Sequence, residues 1–136
     1  LQASELVVSS KEFELLSQRF WPGPLTVVAE RSIHLGYFLG GDENSIGVRC
    51  PDHRFMQFLT KVVGPLAVTS ANRSGLQTPE NAKEAAEELG DNLLVIDGGA
   101  GKGKPSTVVN LLSDNAEILR EGALCSDDLI AAGLRL

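Results

Sequence analysis

Short runs rich in β-branched residues alternate along this chain with amphipathic runs that repeat every three or four residues, and few architectures accommodate both periods. Strands layered against helices do, so an α/β domain is expected. Residues 10–20 place Phe13, Leu15, Leu16 and Phe20 at helical spacing, with Ser9 or Ser10 as N-cap, Glu12 in the first turn and Trp21-Pro22-Gly23-Pro24 as the stop. Residues 25–29 read as a strand. Residues 31–44 hold Gly40 and Gly41 beside acidic side chains and keep no sustained period, which predicts a mobile loop. A second strand spans residues 45–49, and Pro51-Asp52-His53 opens a helix to about Val63, with Phe55, Met56, Phe58, Leu59, Val62 and Val63 on or near one face.

Residues 65–68 and 93–97 read as short buried strands, and residues 107–112 and 116–120 as a further pair. Thr78-Pro79-Glu80-Asn81 caps a helix over residues 81–89 that Gly90 stops, and residues 126–132 close the chain as a short helix. Ser113-Asp114-Asn115 turns the last strand pair into a hairpin, so the expected architecture is an open, twisted, mixed sheet with flanking helices.

With 136 residues and 43% hydrophobic content, the chain can bury one core, and a single domain over residues 1–136 is the expectation. No window approaches the length of apolar sequence that spans a bilayer. The start, Leu1-Gln2-Ala3-Ser4-Glu5, has neither an initiator Met nor a basic segment before an apolar one, which predicts a fragment without a signal peptide. Cys50 and Cys125 lack metal-ligand spacing and a disulfide framework; packed thiols in a reducing cytosol fit them best. A net charge of −6 argues against a broad electrostatic grip on nucleic acid, so any RNA contact has to be local.

Chemistry gathers at predicted strand ends, where ligands collect in open α/β sheets. After residues 65–68, Thr69, Ser70, Asn72 and Ser74 offer small donors before Gly75, a pattern that suits either a phosphate or a self-bonded polar turn. Period-two alternation puts Ser45, Gly47 and Arg49 on one strand face, and a guanidinium beside a hydroxyl and a bare glycine suits capture of a carboxylate or phosphate. The glycine-rich run Gly98-Gly99-Ala100-Gly101-Lys102-Gly103 is not a Walker A loop, because neither Ser/Thr nor a helix follows Lys102. Ser106 and Thr107 project from the start of the next strand. Arg120 ends another, with Glu121 placed to temper its charge. His53 reads as a cap, His34 as a loop residue, Asp97 as a turn former and Trp21 as core or cleft wall.

Four segments occur together and in order: Trp21-Pro22-Gly23-Pro24-Leu25-Thr26; Gly47-Val48-Arg49-Cys50-Pro51-Asp52-His53; Thr69-Ser70-Ala71-Asn72-Arg73-Ser74-Gly75; and Pro105-Ser106-Thr107-Val108-Val109 with Ile118-Leu119-Arg120-Glu121-Gly122. This set resembles the YrdC-like family, the threonylcarbamoyl-AMP synthases, and extends over nearly the whole chain. The resemblance implies an open sheet around a concave, positive cleft. It implies an enzyme that joins L-threonine, bicarbonate and ATP into threonylcarbamoyl-AMP and pyrophosphate, with Mg2+ carried by the phosphates. A threonylcarbamoyl transferase then acts on tRNA to give t6A at position 37. Location is expected in the cytoplasm, with a mitochondrial form as the alternative.

Carried over position by position, Ser45, Ser70, Asn72, Thr78 and Arg120 face ATP. Arg49 and Ser106 hold threonine, with the Val68 backbone adjoining. Glu121 departs from the proline usual after that arginine, and Pro105 stands where an acidic residue often precedes Ser-Thr. The family's Pro-Thr-Asp-Thr-like strand and Lys-x-Arg motif have no counterpart before Leu1, so the domain is expected to be incomplete at its N-terminus and this chain weak or inactive. The rival readings are a non-catalytic double-stranded RNA-binding or regulatory module, and the YrdC-like domain of hydrogenase-maturing carbamoyltransferases.

Overall fold

Leu25, Val27 and Ala29 are buried and alternate with less buried Thr26, Val28 and Glu30 in the strand that organises this protein, and the sheet grows outward from it. The structure, a computed structural model, describes residues 2–36, 39, 42–73, 75–90, 92–100 and 103–136. Expectations placed on Gly40, Gly41, Ser74, Gly101 and Lys102 lie outside the described residues. In chain order the elements are α1 (Ala3–Leu6), α2 (Lys11–Phe20), β1 (Leu25–Glu30), β2 (Ser45–Val48), α3 (Arg54–Val63), α4 (Ala82–Leu89), β3 (Thr107–Asn110), β4 (Glu117–Arg120) and α5 (Ser126–Ala131). The strands form one sheet in the order β2-β1-β3-β4. β1 runs antiparallel to β2 and parallel to β3, and β3 runs antiparallel to β4. The expected mixed sheet and closing hairpin are both present.

The chain divides into two compact units, Leu1–Leu66 with Lys104–Leu136, and Ala67–Gly103. In the first, Leu25, Val27 and Ala29 of β1 are buried together with Phe13 and Leu16 of α2, Val109 of β3, Leu129 of α5 and Leu134. Trp21 packs against this core, meeting Phe13 edge to face at 5.7 Å between ring centroids, and its indole N–H donates to Leu25 O at 2.7 Å. Apolar burial supplies most of the driving force here, because the sheet has four strands among the described residues and needs a covered face to persist. The helix signals are obeyed: Ser10 Oγ accepts from Phe13 N at 3.1 Å, and Asn81 Oδ1 accepts from Glu84 N at 3.0 Å. His53 is the cap of α3, its Nδ1 accepting from Met56 N at 3.4 Å, so that helix begins at Arg54.

Two strand expectations are corrected. Residues 65–68 and 93–97 are irregular and not in any sheet among the described residues; Val68 is 75% exposed and Leu94 91%. A strand exists through its ladder with a neighbour, and β-branched composition does not create one where no partner is paired. The sheet strands also stop short of their expected ends: Arg49, Leu111, Leu112 and Ala116 fall outside the strands, although Leu111 N still donates to Val28 O at 2.8 Å. Asp97 does form the expected turn, accepting from Gly99 N at 2.8 Å.

Phe13→Ala is expected to destabilise the protein by about 3–5 kcal/mol, since it removes a fully buried ring and its stacking partner's contact. Equilibrium denaturation in urea reads this as a lowered midpoint. At the other end of the chain, donation from the Cys125 N–H and then its Sγ–H holds the Asp128 carboxyl below its ordinary value of 3.8. A depressed carboxylate stabilises the fold above that value and loses its contribution as pH falls through the lower folded-state value. Asp128→Asn should therefore flatten the acid limb of stability against pH, measured by circular dichroism.

Candidate functional site

The face of the sheet opposite the core is lined by small and polar residues because of strand register. Thr26 and Val28 alternate with the buried positions of β1, Val28 opposes Gly47, Thr26 opposes Val108, and Val108 opposes Arg120. A side chain at Gly47 would meet the methyls of Thr26 and Val28 at ordinary contact distance, so its bareness leaves this face open.

At one end of that face three of the expected site residues come together within the first unit. Arg120 Nε and Nη2 donate to Ser106 O at 3.1 and 2.9 Å, and Nη2 also donates to Ser106 Oγ at 3.1 Å. Ser106 Oγ lies 2.9 Å from Thr26 Oγ1, and Ser106 itself is 6% exposed. When Thr26 is the donor, both lone pairs of Ser106 are filled and its proton is left for an anionic oxygen. Arg49 Nε donates to Gly23 O at 3.1 Å, while Gly23 N donates to Cys50 O at 2.9 Å, pinning the end of β2 to the turn before β1. Gly23 is required there: a Cβ would stand 2.2 Å from Phe20 O.

The electrostatics single this corner out. Partial burial, and then the positive field of Arg120, hold the Arg49 guanidinium below its ordinary value. Among the described residues the ion pair present is Lys83 with Glu87, and neither arginine has a carboxylate partner. Glu121, expected to temper Arg120, forms no ion pair with it among the described residues. Two neighbouring guanidinium groups without a counter-charge repel, and an anion relieves that repulsion.

The remaining expected residues are Ser45, Val68, Ser70, Asn72 and Thr78. Ser45 shares a face with Arg49 but sits at the far end of β2, roughly 13 Å away at ~3.3 Å per residue. Its hydroxyl is bonded to the Asp42 carboxyl, which with the Asn44 N–H keeps that carboxyl below its ordinary range. Val68, Ser70, Asn72 and Thr78 belong to the second unit. There the Asn72 amide donates to Arg73 O and Leu76 O at 2.9 and 3.0 Å, and Thr69 Oγ1 accepts from Ala71 N at 3.3 Å. Ala71 adopts φ +56°, and Asn72 Oδ1 is buried without a partner. Self-bonding of this turn is one of the two readings its composition left open. Thr26 and the Gly23 carbonyl are site components that the residue pattern did not single out, although a lone hydroxyl inside Leu25-Thr26-Val27 is a period-two signal.

Among the described residues no cluster of three His, Cys, Asp or Glu side chains is placed to hold a metal, and no helix is long and apolar enough to cross a membrane. An open mixed sheet with an uncompensated arginine pair at one end defines an α/β domain suited to an anionic ligand. Comparison with known proteins places it more closely. The chain belongs to the Sua5/YciO/YrdC family, whose model, described as "Telomere recombination", matches residues 1–122. It is 35% identical over 122 residues to the threonylcarbamoyl-AMP synthase of Pyrococcus abyssi, covering 88% of this chain and 36% of that protein. With the human threonylcarbamoyl-AMP synthase it shares 44% identity over 98 residues, covering 66% of this chain and 35% of that one. The crystal structure of P. abyssi Sua5 complexed with L-threonine superposes with a TM-score of 0.88 at 33% identity, over 98% of this chain and 41% of that one. E. coli YciO shares the fold, with a TM-score of 0.68 at 22% identity, over 93% of this chain and 63% of that one. The chain thus spans between a third and about half of the length of the curated relatives first matched, for example 36% and 52%.

Inorganic pyrophosphate is expected to raise the melting temperature of this protein, and Arg120→Met to abolish most of that shift. Raising the salt from roughly 50 to 500 mM should shrink the wild-type effect, because screening weakens exposed charge interactions.

Proposed function

We propose that this domain carries the threonine- and phosphate-binding part of a threonylcarbamoyl-AMP synthase, which makes threonylcarbamoyl-AMP and pyrophosphate from L-threonine, bicarbonate and ATP. The observation that carries the proposal is the pair Arg49 and Arg120 beside Ser106, without a carboxylate partner among the described residues. Support also comes from the relatives' name and from the fold shared with P. abyssi Sua5, whose structure holds L-threonine.

In this reading Arg49 takes the carboxylate of L-threonine by charge-assisted hydrogen bonds, and Ser106 orients the amino acid. The threonine amine attacks bicarbonate, forming an N–C bond and releasing water, to give a carbamate. A carbamate oxygen then attacks the α-phosphorus of ATP, and the bond to the β-phosphate oxygen breaks with release of pyrophosphate. No covalent enzyme intermediate is needed. The protein contributes proximity and neutralisation of charge, Arg120 standing at the phosphates and Mg2+ arriving with ATP as part of the substrate. Ser45, Ser70, Asn72 and Thr78 are proposed contacts to ATP, and the Val68 backbone to threonine, from the motif resemblance alone. The product goes to a transferase acting on tRNA, in a cytoplasmic setting that suits two free cysteines.

Calorimetric titration with L-threonine tests the reading. Binding is expected, together with loss of at least about tenfold in affinity for Arg49→Met, the size of a charge-assisted hydrogen bond. Pyrophosphate release from ATP that requires threonine and bicarbonate together is the catalytic readout. Failure of the wild-type chain to bind L-threonine would overturn the assignment.

A further inference from the structure

The Thr107 hydroxyl takes no part in the contacts among Arg49, Ser106 and Arg120, yet it is among the most heavily bonded side-chain atoms in the first unit. Thr107 is fully buried, at 0% exposure. Its Oγ1 donates to Leu124 O at 2.6 Å and accepts from Gly122 N and Leu124 N, each at 3.0 Å. One donor and two acceptor lone pairs are thereby used in full. The hydroxyl gathers the turn that directly follows Arg120. Gly122 makes this closeness workable, because a Cβ there would stand 2.2 Å from Pro105 O and 2.7 Å from Thr107 N. On the main chain, Thr107 N donates to Pro24 O at 2.9 Å, one residue beyond the carbonyl that holds Arg49.

Arg120 is therefore held from two directions. Its guanidinium rests on Ser106, and the backbone just beyond it is tied to the neighbouring residue, Thr107. We propose that Thr107 is a positioning residue for the phosphate-facing guanidinium: its buried hydroxyl sets where Arg120 stands and so determines affinity for phosphate rather than for the amino acid. Removing the hydroxyl takes the partner from two N–H groups and one carbonyl of half-buried residues, and the turn after Arg120 has to shift to recover it. Arg49 is held by Gly23 O, which does not depend on that hydroxyl. The inference rests on the reading of Arg120 as the phosphate holder.

The test compares two probes, inorganic pyrophosphate and L-threonine, by calorimetry on the whole chain. Thr107→Val should weaken pyrophosphate about tenfold and L-threonine less than about twofold, while Thr107→Ser, which keeps the hydroxyl, should leave both within about twofold. In an Arg120→Met background, Thr107→Val should change pyrophosphate affinity by less than about twofold, because the two residues act through one group. A purely structural role predicts an equal fall for both probes; that result, or no change at all, overturns the proposal. Should Thr107→Val fail to fold, Thr107→Cys carries the same comparison, and failure of both to fold makes Thr107 a folding residue and also overturns it. If the unaltered chain binds neither probe, the reading of the site fails first, which is a separate outcome.

Discussion

Parallel pairing of β1 with β3 is the contact on which the remaining structure depends. It joins Leu25 to Thr107 and Val28 to Asn110, so that hydroxyls 80 positions apart, on Thr26 and Ser106, stand 2.9 Å from one another. β2 is attached through β1, and β4 through β3. Without the central pair, each remaining piece is a two-stranded ribbon, which is marginal in water. The same pairing sorts the chemistry, because period-two alternation sends Leu25, Val27, Thr107 and Val109 to the buried face and Thr26 and Val108 to the open one. Core and site are thus two consequences of one register.

The site shows how a chain of net charge −6 can present a cationic corner. Net charge sets the long-range field, but recognition of a small anion is decided within a few ångströms, where screening and averaging matter little. Both arginines spend hydrogen bonds on main-chain oxygens, Gly23 O and Ser106 O, rather than on carboxylates. Neutral acceptors hold a guanidinium in place while leaving its charge uncompensated, and that is the condition an anion needs.

Legibility in the sequence followed the range of the forces involved. Helix ends were readable because Ser10, Asn81 and Gly90 act on groups within four residues of themselves. The strands of β1 and of the β3–β4 hairpin were readable because a clear alternation or a close turn accompanied them. Residues 65–68 and 93–97 were misread because their composition suits a sheet, whereas sheet membership is settled by partners that no local pattern reports. Within the site, Arg49, Ser106 and Arg120 stood out as polar groups at strand ends. Thr26 and the Gly23 carbonyl did not, since a main-chain oxygen leaves no trace in composition and a threonine suits a strand for reasons of shape alone.

The first residue of β3 and the one before it illustrate why that boundary falls where it does. Ser106 and Thr107 carry the same functional group and are neighbours in the chain, yet alternation points them to opposite sides of the sheet. The Ser106 hydroxyl meets Thr26 and Arg120 at the open corner; the Thr107 hydroxyl is consumed by the Gly122–Leu124 backbone beneath it. A sequence motif of two hydroxyls therefore divides into one group bonded to the side chains of Thr26 and Arg120 and one bonded to the backbone of the turn after β4. Which is which follows from the register with β1, since pairing Thr107 with the buried Leu25 sends its hydroxyl toward the core and leaves that of Ser106 on the side of Thr26 and Arg120.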